Sequence, residues 1–136
     1  MSTPAPNSVP FDPHASPADL VAAQRQAAEL YAALRAHQTT LPWSREPHDG
    51  WPEETERGRE NSGQPASPGW TAAEADEFDR LLAELRTATA QVLCHPWWER
   101  CAAEGIKGEA MVTARQALKY AEGAAPLGQG DVETAA

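Results

Sequence analysis

Eight consecutive residues, CHPWWERC from Cys94 to Cys101, bring together two thiols, one imidazole and two indoles. Cys94, His95 and Cys101 are zinc-ligand types. A structural zinc site needs four ligands, however, and the usual spacing of two to four residues between paired cysteines is absent. A fourth ligand would have to come from His14, His37 or His48. Nucleophilic catalysis by Cys94 with His95 as base is weaker still, because neighbours in sequence seldom face each other and no helix N-terminus falls at Cys94 to activate it. A plainer reading accounts for the same residues. Free cysteine packs as a small hydrophobe, and a histidine just before a proline is placed to cap the next helix or to bond a carbonyl of the last. CHPWWERC therefore reads as a corner between helices, with no catalytic residue, metal ligand or cofactor-binding residue expected.

No other pattern in the chain supplies a reaction. There is no P-loop, no G-x-G-x-x-G, no G-x-S-x-G and no H-E-x-x-H. The carboxylates Asp76/Asp79 and Glu53/Glu54/Glu56 lack the apolar surroundings that tune an acid/base pair, so they read as solvated faces. Five tryptophans carry more information, since each can bury about 150 to 250 Å². Trp43, Trp51 and Trp70 are expected to cap the layer between alanine-rich helices, and a Trp-lined ligand pocket is the alternative.

The elements that must position these residues follow from punctuation and periodicity. Residues 1 to 15 are rich in Pro, Ser and Asn and read as a mobile arm, on which Phe11 could dock locally. Ser16-Pro17-Ala18-Asp19 is a helix start with Ser as N-cap. Leu20, Ala23, Ala27, Leu30, Tyr31 and Leu34 then recur at steps of three and four, ending near His37. From 39 to 70, repeated Pro and Gly exclude long helices and nothing alternates cleanly as a strand. That segment is a long linker, with Leu41, Trp43 and Trp51 able to pack and Glu53 to Ser67 solvated.

Thr71-Ala72-Ala73-Glu74 matches a capping box and opens a second helix, with Phe78, Leu81, Leu82, Leu85, Val92 and Leu93 on its apolar face. This helix ends at His95, because the residue before a proline is pushed out of helical geometry. Pro96 opens a short helix stopped by Gly105. A last helix runs from about Lys107 to Glu122, before a tail, 123 to 136, that should be frayed. The fold class is all-α: a small bundle of two long amphipathic helices, about 33 and 36 Å, plus a C-terminal helical hairpin, forming one domain over 16 to 122 with the linker inside it.

The chain has 136 residues and a formal net charge of -9, which repels phosphate backbones and anionic lipid and disfavours both as partners. No stretch is long and apolar enough for a membrane span. The N-terminal segment has neither the basic start nor the apolar run of a secretory signal, and two cysteines make no disulfide framework. The expected location is the cytoplasm. The C-terminal hairpin is locally balanced, Arg100, Lys107, Arg115 and Lys119 against Glu99, Glu104, Glu109 and Glu122, and neutral surface is the easier kind to bury against a partner.

The motif order FDP…DLVAAQR, LPWSREP, SPGWT, HPWW and ARQALKYA, from Phe11 to about Glu122, resembles a group of small uncharacterised helical proteins from actinobacteria. The resemblance implies a helical fold and brings no catalytic or binding residue. What the residues themselves suggest is a non-enzymatic protein-interaction or regulatory module whose partner is another protein or a second copy. Helical spacing from Pro96 puts Trp98 with Cys101 and Ala102 on the core side. Trp97 lies nearer Arg100, Cys101 and Glu104, a more polar edge, and is the residue placed to bind the partner. The alternatives are a nucleic-acid-associated regulator using the C-terminal hairpin, or a small-ligand binder using the Trp-containing loop.

Overall fold

A computed structural model describes residues 10–56 and 58–125. The described residues are mostly helical. In order they form α1 (Ala18–Gln38), β1 (Glu54–Glu56), β2 (Arg59–Asn61), α2 (Ala72–Leu93), α3 (Pro96–Ala103) and α4 (Glu109–Lys119). The four helices fall where periodicity and caps place them, with shifts at the ends that have local causes. In α1 the first helical bond is accepted by the Pro17 carbonyl, from Val21 N–H at 3.0 Å, so the helix begins one step later than a Ser16 cap would have it. The capping box of α2 is formed from both sides: Thr71 N–H donates to Glu74 Oε1 at 2.8 Å and Glu74 N–H donates to Thr71 Oγ1 at 3.1 Å. Helix α4 starts after Gly108, which has no side chain to cap it, rather than at Lys107.

The described residues group into two compact units, one made of the chain up to Glu29 and from Leu85 onward, the other of Leu30 to Glu84. In the first, Leu20, Ala27, Ala88, Val92, Trp98, Cys101, Ala114, Leu118 and Ala124 are buried. Ala124 shows that the segment after α4 packs as far as the description extends; residues 126–136 of the expected tail lie outside it. At the other end, Asp12 accepts the N–H of His14 on its side chain at 2.9 Å and that of Ala15 on its carbonyl at 3.1 Å. The turn presents Phe11 to Trp97, ring centroids 5.1 Å apart, as local docking of the arm requires; residues 1–9 lie outside the described residues. Leu93, expected on the apolar face of α2, is exposed.

The second unit departs most from the sequence reading. The segment between α1 and α2, expected to carry no strand, is an antiparallel hairpin in one continuous register. Trp70 N–H bonds the Arg45 carbonyl at 2.8 Å, His48 pairs with Ser67, Trp51 with Gln64, and β1 with β2 from Glu54↔Asn61 to Glu56↔Arg59. The physical reason is that backbone pairing needs no apolar face: two polar arms satisfy each other's N–H and C=O groups while their side chains stay in water. The hairpin base is fastened to α2. Arg45 grips Asp79 through two hydrogen bonds of 2.8 Å and lies over the Trp70 ring, which packs on Phe78 and donates its indole N–H to the Pro42 carbonyl at 2.8 Å. His37 Nε2–H donates to the Glu74 carbonyl at 3.0 Å, tying the end of α1 to the first turn of α2. Tyr31, placed on the α1 apolar stripe by spacing, is half exposed, with Arg35 over its ring.

Candidate functional site

Three aromatic side chains gather on the first arm of the hairpin and just before it. Trp43 and His48 have ring centroids 5.0 Å apart, Trp43 and Trp51 5.5 Å, His48 and Trp51 5.8 Å, with interplanar angles of 62°, 78° and 80°. Each ring stands steeply to the other two. Each is also held by backbone. Trp43 Nε1–H donates to the Pro65 carbonyl at 2.7 Å, Trp51 Nε1–H to the Ser62 carbonyl at 3.0 Å, and His48 Nδ1 accepts the Gly50 N–H at 2.8 Å. Both indole donors are therefore engaged by the second arm, yet Trp43 and Trp51 remain 40% and 47% exposed. Large apolar rings that stay in water while their polar atoms are satisfied internally present a fixed π surface.

Gly50 lets the arms close around this cluster. Its φ is +75°, and a Cβ there would lie 2.2 Å from the Gln64 carbonyl oxygen, so no other residue fits between His48 and Trp51 without parting the arms. Ser67, buried in the same stretch, donates to the Ser44 carbonyl at 3.1 Å and accepts the Gly69 N–H at 3.1 Å. Both bonds are to backbone, so this hydroxyl fixes the chain on either side of it. An open groove of about 730 Å³ meets the cluster at His48 alone; its other walls are Pro47, Asp49, Gly50, Ala66, Ser67 and Pro68.

A family model, a domain of unknown function (DUF8825), matches residues 19–121, from the start of α1 to just beyond α4, with the hairpin inside the match. The chain belongs to the DUF8825 family. No curated protein and no solved structure matches the DUF8825 chain.

The CHPWWERC segment of the DUF8825 chain is the corner its sequence suggests. His95 is the N-cap of α3: its Nδ1 accepts the Trp97 N–H at 3.0 Å. Its Nε2–H donates to Asp19 Oδ2, also at 3.0 Å. Trp98 is 5% exposed and donates its indole N–H to the Val92 carbonyl at 2.7 Å. Cys101 is buried, and burial pushes its thiol pKa up, while Cys94 is exposed. Among the described residues no three His, Cys, Asp or Glu side chains come together in a way that could hold a metal.

Trp97, the residue sequence spacing singles out for a partner, is half-buried beneath Phe11, and Arg100 lies over the Phe11 ring with its guanidinium carbon 5.2 Å from the centroid. The exposed tryptophans are Trp43 and Trp51, which sequence reasoning assigns to core filling, and they stand with His48, weighed there only as a fourth metal ligand. The signal that could have found them is the turn glycine Gly58 between two short polar runs. From it, counting outward along the arms sets His48 opposite Ser67 and Trp51 opposite Gln64.

Proposed function

We propose that the chain is a non-enzymatic protein-interaction module of the cytoplasm, and that its binding face is the hairpin cluster Trp43, His48 and Trp51 rather than Trp97. One observation carries this: two indoles whose N–H groups are already bonded to the second arm still expose almost half their surface. A core residue would hide its ring, and a ring held only by crystal-like side-chain packing would lack the backbone bonds that fix it. Preorganised aromatic rings lose little side-chain entropy on binding and are enriched among residues that dominate interfaces. That no helix among the described residues is long and apolar enough to cross a membrane agrees with a module that meets its partner in water.

The nucleic-acid alternative is disfavoured by the chain's own contacts. Arg100 is bonded to Glu104 at 3.1 Å and Arg115 lies over the Trp98 ring at 4.5 Å, so two of the four basic side chains of the C-terminal hairpin are already engaged. The test is recovery of bound proteins from the native host with the wild-type chain, Trp51→Ala and Trp97→Ala. A partner on the hairpin face is lost with Trp51→Ala and kept with Trp97→Ala. The reverse pattern would return the binding face to Trp97.

A further inference from the structure

The two indoles of the hairpin cluster offer a ligand little besides π density, because their N–H groups are turned inward, Trp43 to the Pro65 carbonyl and Trp51 to the Ser62 carbonyl. His48, whose Nδ1 accepts the Gly50 N–H, adds Nε2–H as a polar edge. An aromatic face is the negative end of a ring quadrupole and attracts a cation within about 6 Å of its centroid. With centroids 5.0 to 5.8 Å apart and planes crossed at 62° to 80°, one cationic group can lie against more than one of these rings at once. The charge around them has the matching sign. Residues 46 to 60 carry Glu46, Asp49, Glu53, Glu54, Glu56 and Glu60 against Arg57 and Arg59 and are net acidic; Glu46, Asp49, Glu53, Glu54 and Glu60 are exposed, and Asp49 lines, with His48, the groove that adjoins the cluster. Arg45, at the base, is already gripped by Asp79.

The rest of the molecule applies the same chemistry to itself. Trp70 carries Arg45, Trp98 carries Arg115, Phe11 carries Arg100 and Tyr31 carries Arg35. Among the described side chains no cation lies over Trp43 or Trp51. Resting on the interaction reading above, we propose that the Trp43–His48–Trp51 cluster takes a lysine or arginine side chain from a basic segment of another protein, with Asp49 and the groove receiving the residues that flank it. A proline-rich neutral segment would also fit aromatic rings, but it would make no use of the acidic hairpin. A second copy of this acidic chain would bring like charge against like.

The experiment follows the indole N–H signals of the ¹⁵N-labelled full chain by NMR during titration with two peptides of the same length. One is a Gly-Ser peptide with a central Lys-Arg pair. The other has norleucine and citrulline in their place, which keeps the shape and removes the charge. The Trp43 and Trp51 signals should move saturably with the basic peptide, and the neutral peptide should bind about tenfold more weakly, the scale of a cation–π contact plus one screened charge. Equal binding of the two peptides, or movement of neither, would overturn the proposal. So would shifts of the same signals on concentrating the protein alone, which would assign the face to a second copy. Because the comparison is made on the wild-type chain, it does not depend on a variant folding. Loss of host partners with Trp51→Ala tests the interaction reading separately and can succeed where the cation test fails.

Discussion

His95 and Asp19, 76 positions apart in the chain, are joined by one hydrogen bond of 3.0 Å from Nε2–H to Oδ2. The other ring nitrogen of His95 caps α3 through the Trp97 N–H, so one imidazole ties the first turn of α1 to the first turn of α3. Both roles use the neutral ring with its proton on Nε2.

A pH dependence follows from the Asp19 end of this bond. The His95 hydrogen bond, more than any charge nearby, holds the Asp19 carboxyl below its ordinary aspartate range. A carboxyl that binds its proton less readily in the folded chain than in the unfolded one adds stability above the unfolded value and loses it as pH falls through the folded value. Urea melts of wild type and Asp19→Ala should therefore differ near neutrality and converge in acid. A gap that widens as pH drops would contradict the assignment.

Trp98→Ala should cost about 3 to 5 kcal/mol, the range for a large buried aromatic. Trp98→Phe keeps an aromatic ring but removes the indole donor, leaving the Val92 carbonyl only the longer bond from the His95 N–H at 3.4 Å, which costs up to about 1 kcal/mol more than the lost area alone. Denaturant unfolding of the two variants separates the terms.

Trp97 should behave differently, because its buried Nε1–H meets no hydrogen-bond partner among the described residues. An unsatisfied donor is itself unfavourable, so Trp97→Phe removes a penalty together with some packing and should change stability by no more than about 1 kcal/mol in either direction. Phe11→Ala uncovers the same indole and should raise its solvent accessibility, read as a red shift of tryptophan emission that is absent in the double variant with Trp97→Phe.

Gly50→Ala and Gly58→Ala make a matched pair on the hairpin. Both glycines have positive φ, +75° and +78°, but a Cβ at Gly58 meets nothing within 4 Å, whereas at Gly50 it collides with the Gln64 carbonyl. Gly58→Ala should cost only the backbone term, about 1 kcal/mol. Gly50→Ala should cost more and release the Trp51 and Gln64 amides to hydrogen exchange. Slow exchange at both amides in Gly50→Ala would show that the arms part elsewhere.

Arg45→Lys tests the clamp at the hairpin base. Lysine keeps the charge but cannot make the two parallel bonds to Asp79 or lie flat on Trp70. Because the ion pair is exposed, global stability should change little, while exchange at the Trp70 amide, bonded to the Arg45 carbonyl, should quicken.

Much of this molecule is local physical chemistry and could be read from residue order. The Thr71–Glu74 box closes as written because its four atoms are three residues apart on one turn. His95 caps α3 because Pro96 forces it out of helical geometry and leaves its side chain beside the next free N–H. The burial of Trp98 follows from its helical angle, on the same face as Cys101. What residue order did not determine is pairing at a distance. The polar arms either side of Gly58 carry no alternation that marks a strand, since most of their described side chains are exposed, and only the meeting of 45 with 70, 48 with 67 and 51 with 64 makes them a hairpin. That register turns Trp43 and Trp51 outward with their N–H groups bonded inward. It was likewise the tertiary structure that laid Phe11 on Trp97, because an arm rich in proline has no periodicity to announce where its one aromatic ring will dock.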